Sequence, residues 1–201
     1  MIISTGMGTL GEVETAINKC KDTGNDKTII LHCVSNYPPK TKDCNLLSMK
    51  TIGETFDVLV GYSDHTIGIE VPLAAVTLGA CVIEKHFTTD KTLPGWDHPI
   101  SANPKELKDL VDKAKIIQDA LGSSIKQPVP AELEMIKSFR RSAITNRPIK
   151  KGEVFKRDMI DIKRPGTGFE PELLHLIIGR KSAQNIKEDT VIMPEHLGEL
   201  N

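Results

Sequence analysis

Short apolar runs alternate with longer amphipathic segments through the first 121 residues of the chain. Runs rich in Ile, Val and Leu predict strands at residues 1–4, 27–34, 58–62 and 81–87. The segments that follow them have apolar residues at helical spacing and predict helices at residues 10–23, 46–56, 68–78 and 104–121. Alternation at this spacing is typical of β/α units whose strands run parallel, so we expect four such units in series.

Turn-forming residues mark the end of this series. Asn103 and Pro104 predict a helix N-cap followed by proline at the first helical position, and Gly122 predicts the helix end. Beyond that point, β-type runs alternate with Gly, Pro and Asp at residues 142–144, 149–153, 160–166 and 177–180. We therefore expect an α/β domain at residues 1–121, a linker with a short polar helix at 122–138, and a small, mostly β domain at 139–201.

Composition excludes several classes of protein. Hydrophobic residues make up 39% of the chain, charged residues 26%, and the net charge is −1, which gives no general attraction to nucleic acid or anionic lipid. No apolar run approaches the roughly 20 residues of a membrane helix, and the N-terminus has no signal-peptide pattern. The four cysteines form no CxxC pair. These features predict a cytoplasmic protein with reduced thiols.

Two histidines close neighbouring predicted strands. His65 follows the third strand, and His86 ends the fourth. Because parallel strands end at the same edge of a sheet, where active sites of α/β folds collect, we expect both imidazoles there. Two imidazoles with few carboxylates suit Mn, Fe, Co or Zn better than Ca. The alternative is that both histidines lie in loops and cap backbone groups.

Other polar side chains follow the same strand ends. Because side chains alternate along a strand, Glu84 shares a face with His86, and Ser63 shares one with His65. Glu84 could fix an imidazole tautomer or form a structural ion pair. The other two predicted strands end near Ser4 and near Ser35 and Tyr37, so each of the four strands has a polar group at this rim.

Two further segments contain candidate binding residues. Asp97 lies in the long loop after the fourth strand, where it could accept hydrogen bonds from substrate hydroxyls or only stabilise a turn. The neighbouring Trp96 could cover a sugar face or anchor the loop. In the small domain, Arg164 is presented by a turn rich in Gly and Pro, and its guanidinium suits a carboxylate or an acyl oxygen. A solvated turn is the alternative for Arg164.

Several motifs occur together in one order. They are Ser4-Thr5-Gly6-Met7, Leu31-His32-Cys33, Tyr37-Pro38, Gly61-Tyr62-Ser63-Asp64-His65-Thr66, Glu84-Lys85-His86-Phe87-Thr88 and Lys163-Arg164-Pro165-Gly166-Thr167-Gly168. In combination they closely resemble the sialic acid synthase family, which comprises N-acetylneuraminate synthase and its legionaminate and pseudaminate relatives. The resemblance covers essentially the whole chain.

The resemblance implies a fold and a reaction. Family members have a TIM (β/α)8 barrel followed by an antifreeze-like SAF domain, and they form domain-swapped homodimers. They condense phosphoenolpyruvate with an N-acetylated amino sugar, such as N-acetylmannosamine, to give a nonulosonic acid and phosphate. They require a divalent metal, usually Mn²⁺ or Mg²⁺. This chain is then expected to be the second half of the barrel, with four β/α units, followed by the SAF domain.

The resemblance also implies roles for individual residues. The family's metal ligands match His65 and His86. Its phosphoenolpyruvate contacts match Ser4, Ser35 and Ser63, and its sugar contacts match Tyr37 and Asp97. The arginine that matches Arg164 reaches the partner's active site and contacts the N-acetyl group. With Glu84, these residues form the expected site.

The family's first four strands have no counterpart in this sequence. A catalytic-base carboxylate and the lysines that hold phosphoenolpyruvate belong to those strands. We therefore expect little or no synthase activity from this chain alone, and a second chain could supply the missing half of the barrel. The alternative is a catalytically silent half-barrel with a binding or structural role. Another metal-dependent aldolase on a TIM barrel is disfavoured by the SAF-like tail.

Overall fold

The structure is a computed structural model that describes residues 1–200 and divides into two compact units, Met1–Ser124 and a second that begins at Ile125. The first unit contains four strands and four helices in alternation: β1 (Ile2–Ser4), α1 (Leu10–Asp22), β2 (Ile29–Cys33), α2 (Ser48–Phe56), β3 (Leu59–Asp64), α3 (Glu70–Thr77), β4 (Ile83–Lys85) and α4 (Pro104–Leu121). The strands lie in the order β1-β2-β3-β4, and every neighbouring pair is parallel. The predicted α/β half-barrel of four β/α units is confirmed.

The two faces of this sheet differ in what they bury. The face towards the helices carries Ile30 and Tyr62, which are fully buried against apolar residues of α1 and α2 such as Ile17 and Met49. The opposite face forms rows across the strands because the register aligns their residues. Its lowest row, at the N-terminal ends, is Ile2, Ile29 and Leu59, and its upper row is Cys33, Ser63 and Glu84. Polar residues on this face therefore collect at the C-terminal edge.

The structure corrects several predicted boundaries. The third helix begins at Glu70 rather than residue 68 because Gly68 has a φ of +89°, which no right-handed helix accepts. The second helix begins at Ser48 rather than residue 46. The fourth strand is limited to Ile83–Lys85, and the backbone of His86 pairs instead with the end of the following loop, where Ala102 N donates to His86 O at 2.8 Å.

Helix α4 begins with the predicted N-cap. The Asn103 side chain accepts from the backbone N–H of Glu106 at 2.9 Å, and the Glu106 carboxylate accepts from the backbone N–H of Asn103 at 2.9 Å. Hydrogen bonds from Lys91 and then from the Asn103 backbone hold the pKa of Glu106 below its usual value. Reciprocal bonding of this kind satisfies two helix N–H groups that would otherwise lack intrahelical acceptors.

Removal of this cap gives a first testable prediction. Asn103→Ala is expected to lower the free energy of unfolding by about 1 kcal/mol, because the Glu106 N–H loses its acceptor. Urea denaturation followed by circular dichroism measures the difference. Gln118→Ala, at an exposed position of the same helix, is the control and should change stability by less than about 0.5 kcal/mol. Equal effects from the two variants would contradict this account of the helix start.

The second unit is strand-rich. Helix α5 (Pro130–Phe139) is followed by two antiparallel pairs, β5 (Ser142–Thr145) with β6 (Ile160–Lys163) and β7 (Arg180–Ser182) with β8 (Leu197–Leu200). The predicted runs at 149–153 and 177–179 are not strands. Ile149 instead exchanges two backbone hydrogen bonds with Ile186, at 2.9 and 2.8 Å, which join the two halves of the unit. Phe155 is fully buried in the core of this unit.

No helix in residues 1–200 combines the length and the apolar character that a bilayer span requires.

Candidate functional site

The C-terminal edge of the sheet brings together two imidazoles and a phenol. The ring centroids of His65 and His86 are 5.2 Å apart. The ring of Tyr37, from the loop after β2, lies 4.1 Å from His65 and 5.8 Å from His86. Each side chain comes from a different strand end, so the parallel order of β2, β3 and β4 produces this cluster. The predicted convergence of the two histidines is therefore seen in the fold.

His65 is held in one tautomer. The residue is 7% exposed, and its Nδ1 lies 2.9 Å from the carbonyl oxygen of Val34, with the Cys33 thiol 3.8 Å away. A carbonyl oxygen can only accept, so Nδ1 carries the hydrogen and donates. The lone pair of Nε2 is then free to bind a ligand. Histidines that bind metals are commonly fixed by a hydrogen bond of this type.

His86 faces the acidic group of the long loop. Its Nδ1 lies 4.0 Å from Oδ2 of Asp97, and its side chain is one-third exposed. The loop is stabilised near Asp97, whose carbonyl oxygen accepts from Ser101 Oγ at 2.6 Å. The negative charge of Asp97 at this distance favours the form of His86 that carries a hydrogen on Nδ1. The structure therefore places Asp97 at the rim of the cluster, while the neighbouring Trp96 is 92% exposed.

Tyr37 is positioned to donate a hydrogen bond. Partial burial, followed by the nearby Cys33, Asp97 and Glu84, raises the pKa of its phenol above the ordinary value. The hydroxyl therefore keeps its proton throughout the neutral range and can donate to an oxygen of a bound molecule. Its ring also covers one side of His65.

Ser63 and Glu84 form a hydrogen-bonded pair in the row below the imidazoles. Ser63 Oγ donates to Glu84 Oε1 at 2.6 Å. Of the two alternatives for Glu84, neither an imidazole contact nor an ion pair is observed in residues 1–200; the Val34 carbonyl fixes the tautomer of His65 instead. The hydroxyl and the carboxylate lie on the open face of the sheet, where they would meet a molecule bound beside the histidines.

The predicted serines near the first two strands lie at one side of the cluster. Ser4 ends β1, in register with Leu31, and is therefore one row below Cys33. Ser35 faces the turn after β1: a Cβ built on Gly6 would lie 3.2 Å from Ser35 Oγ. Gly6 has a φ of +46°, a conformation that favours glycine. The two serines thus border the turn that follows Ser4.

Arg164 belongs to the second unit. Its Nε donates to the Phe139 carbonyl oxygen at 3.1 Å, and its guanidinium lies 5.1 Å from the centroid of the Phe139 ring. These contacts hold the guanidinium end of the side chain against the end of α5. The structure thus gives Arg164 a local partner, and its predicted contact with a substrate stays a prediction.

One feature of the site was not predicted from the sequence. Asp64 and Lys85 form a buried ion pair with Oδ2 and Nζ 2.6 Å apart. The alternation of side chains contained a signal for it, because it places Asp64 and Lys85 on one face. The same alternation predicts Cys33 on the face of Ser35 and Tyr37, and its thiol does lie beside His65.

The donor set fits a divalent transition metal with few protein ligands. No group of three or more His, Cys, Asp or Glu side chains in residues 1–200 is arranged to hold an ion. The cluster offers two imidazoles, and the free Nε2 of His65 is the expected donor of one of them. Imidazole suits Mn, Fe, Co and Zn, whose remaining positions water or a substrate oxygen would fill.

Comparison with known proteins assigns the family. Residues 1–126 match the NeuB family and residues 140–198 match the SAF domain. The N,N'-diacetyllegionaminic acid synthase of Legionella pneumophila is 43% identical over 98% of this chain and 56% of its own length. Human N-acetylneuraminate-9-phosphate synthase is 35% identical over 97% of this chain and 55% of its own length. The chain thus spans a little over half the length of either synthase.

A solved structure of a sialic acid synthetase is also similar to this chain. The N-acetylneuraminic acid synthetase of Leptospira borgpetersenii, in complex with citrate, is 44% identical over 67% of this chain and 47% of its own, with a TM-score of 0.62. The agreement of fold, motif order and sequence identity leaves one assignment: the chain belongs to the NeuB family of sialic, legionaminic and pseudaminic acid synthases, and a SAF domain follows its NeuB-type unit.

Proposed function

We propose that this chain forms the C-terminal half of a nonulosonic acid synthase that condenses phosphoenolpyruvate with an N-acetylated amino sugar. In this reaction C3 of phosphoenolpyruvate bonds to the aldehyde carbon of the sugar, whose oxygen takes up a proton. Water adds to C2, and phosphate leaves by cleavage of its C–O bond. The observation that carries the proposal is the cluster of His65, His86 and Tyr37 at the end of the parallel sheet.

His65 and His86 would hold the divalent ion, Mn²⁺ or Mg²⁺, that this reaction class requires. When bound, such an ion acts as a Lewis acid that polarises the sugar aldehyde. The Val34 carbonyl keeps the lone pair of His65 Nε2 directed away from the backbone, which prepares the ring for that role. Asp97 Oδ2, 4.0 Å from His86 Nδ1, would attract a hydrogen on that nitrogen and so leave Nε2 of the second imidazole for the ion.

The remaining residues would bind the two substrates. Tyr37 would donate to a sugar hydroxyl, and Asp97 would accept from one. Ser4 and Ser35 would donate to the phosphate and carboxylate of phosphoenolpyruvate. Ser63 has one hydroxyl hydrogen, which it donates to Glu84 in this structure, and it would turn that hydrogen from Glu84 to phosphoenolpyruvate when the substrate binds. We assign Arg164 to the N-acetyl group in the active site of the partner subunit of a domain-swapped homodimer, where a guanidinium suits an acyl oxygen.

The open face of the sheet supports a partner for the half-barrel. Ile2 is 54% exposed and Leu59 is 62% exposed on the face that a closed barrel would bury. Within residues 1–200, β1 and β4 have no further strand beside them. We propose that a segment with the first four β/α units, in the same or another chain, covers this face. That segment would supply the lysines that hold phosphoenolpyruvate and the catalytic-base carboxylate.

All four cysteines are free, which suits the reducing cytoplasm.

The same open face favours a second candidate. A half-barrel with an exposed apolar row could be a catalytically silent binding or structural protein that keeps the histidine cluster without turnover. The two candidate functions differ in one respect: whether synthase activity appears when the missing half of the barrel covers the open face of the sheet.

Phosphate release distinguishes them. This chain is incubated with phosphoenolpyruvate, N-acetylmannosamine and Mn²⁺, alone and after co-expression with the N-terminal half of the Legionella pneumophila synthase. We expect no measurable release from the chain alone and sugar-dependent release from the complex. Omission of the sugar is the control. Full activity of the chain alone would contradict the proposal that it contains only half of the active site. A stable complex that releases no phosphate with any N-acetylated amino sugar would favour the catalytically silent binding or structural protein.

A further inference from the structure

An ion pair is buried directly behind the histidine cluster. Asp64 and Lys85 are opposite each other in the register of β3 and β4, and Lys85 Nζ lies 2.6 Å from Asp64 Oδ2. The two side chains are 0% and 3% exposed. They point to the face of the sheet opposite the imidazoles, because side chains alternate along each strand. The proposed reaction uses neither residue.

The pair is part of a closed hydrogen-bond network. Asp64 Oδ1 accepts from the backbone N–H of Thr66 at 3.0 Å and from its hydroxyl at 2.8 Å. Lys85 Nζ also donates to the Thr66 carbonyl oxygen at 2.7 Å. Each carboxylate oxygen therefore has a donor, and both ends of the segment 64–66 are fixed. A buried network with its partners in place rigidifies the backbone that it joins.

The network includes the chain neighbours of both imidazoles. His65 lies between Asp64 and Thr66, and His86 follows Lys85 directly. The residues that carry the two rings are thus tied to one another through a charged contact across β3 and β4. The backbone of His86 has left the β3 ladder and pairs with Ala102, so backbone hydrogen bonds between the strands do not fix its position relative to His65.

We propose that the Asp64–Lys85 pair is a positioning device that fixes the separation of the His65 and His86 rings and thereby sets the affinity of this site for a divalent ion. The part that concerns ion affinity rests on the proposed function, and the part that concerns ring separation does not. Isolated buried ion pairs commonly add little stability compared with apolar residues of similar volume, which is consistent with a role in geometry.

A double substitution tests this device without leaving a buried charge. Asp64→Asn with Lys85→Met nearly keeps the side-chain sizes and retains the Oδ1 acceptor for Thr66. It removes the charged contact and the hydrogen bond from Lys85 to the Thr66 carbonyl oxygen. Because both charges are removed together, the fold should be retained. The matched control is Asp112→Asn with Lys108→Met, which removes an exposed ion pair from α4. Thr66→Val, which removes one hydrogen bond of the network, is the milder variant if the first does not fold.

Two measurements report on the separation of the two imidazole rings and on the affinity for the ion. In the metal-free chain, NOEs between the His65 and His86 rings, 5.2 Å apart, should be lost in the double variant and kept in the control. Mn²⁺ affinity, measured by EPR of the free ion, should fall by about 10-fold or more in the double variant, the range seen when supporting residues of metal ligands are changed. Thr66→Val should weaken Mn²⁺ binding in the same direction by less.

The outcomes separate this inference from the proposed function. Unchanged NOEs, or unchanged Mn²⁺ affinity in a chain that binds Mn²⁺ through the two histidines, would overturn the positioning role. A wild-type chain that binds no Mn²⁺, or binds it equally well after His65→Ala, would refute the metal site. In that case the NOEs still decide whether the pair fixes the rings.

Discussion

Lys85→Met is expected to lower the free energy of unfolding of the first unit by about 3–5 kcal/mol, which is a large part of the ~5–15 kcal/mol that stabilises a typical domain. The substitution leaves the carboxylate of Asp64, which is 0% exposed, without its counter-ion. Such a group must stay charged at high cost, take up a proton, or draw water into the interior. Both tyrosines lie in this unit, and the near-ultraviolet circular dichroism of buried Tyr62 follows its unfolding in urea.

Lys108→Met is the matched control for that experiment. It removes the same type of cation from an exposed pair with Asp112 and should change stability far less than Lys85→Met, because solvent screens the exposed charges. Combining Lys85→Met with Asp64→Asn should recover most of the loss. If Lys85→Met were as mild as Lys108→Met, the Asp64–Lys85 pair would be accessible to water in solution, contrary to the structure.

His65→Ala and His86→Ala are each expected to weaken Mn²⁺ binding by about 100-fold or more. Changes to residues that merely support a metal ligand already cost 10–100-fold, and each of these substitutions removes one of two protein donors. The concentration of free Mn²⁺ in a titration, read from its EPR signal, gives the affinity. Because Ala leaves the β3 and β4 backbone intact, circular dichroism should remain that of the wild-type chain.

His175→Ala is the control for the histidine experiment. His175 lies in the second unit, where its Nδ1 is within 3.0 Å of the Glu172 carbonyl oxygen, and its loss should leave Mn²⁺ affinity unchanged. Equal weakening by all three substitutions would indicate weak binding at several separate histidines. Retention of full affinity after His65→Ala would mean that the ion is held elsewhere.

The β/α series could be predicted because its signals are local. Apolar runs of strand length and helical periodicity recur through residues 1–121, and Asn103-Pro104 marks a helix start that the structure confirms. Element ends were less accurate. The sequence pattern includes Gly68 in a helix, although its positive φ excludes it. The hydrogen bond between His86 and Ala102 that ends β4 depends on a residue distant in the sequence.

The site could be predicted in part. Alternation along the strands placed Ser63, Glu84 and the two histidines on one face, and parallel order brought the rings together. The Val34 carbonyl that fixes His65 could not be predicted, because every residue has a carbonyl group and only the fold selects one. Lys85 was overlooked because a lysine beside a glutamate is ordinarily a solvated surface residue.

The second unit illustrates a different limit. Short runs between Gly, Pro and Asp predict its mostly β character, but they also predict a strand at residues 149–153 that the structure does not contain. Ile149 is buried there because it exchanges hydrogen bonds with Ile186, which is 37 positions away in the sequence. Pairing over that distance is determined by the packed unit as a whole and has no local sequence pattern.

We propose that His65 and His86 together hold one divalent ion. Pulsed EPR of Mn²⁺ bound to chain labelled with ¹⁵N only in histidine tests it most directly. We predict hyperfine coupling from two imidazole nitrogens, reduced to one in His65→Ala and in His86→Ala. A spectrum without ¹⁵N coupling at saturating protein would show an ion surrounded by oxygen ligands alone and would contradict the claim.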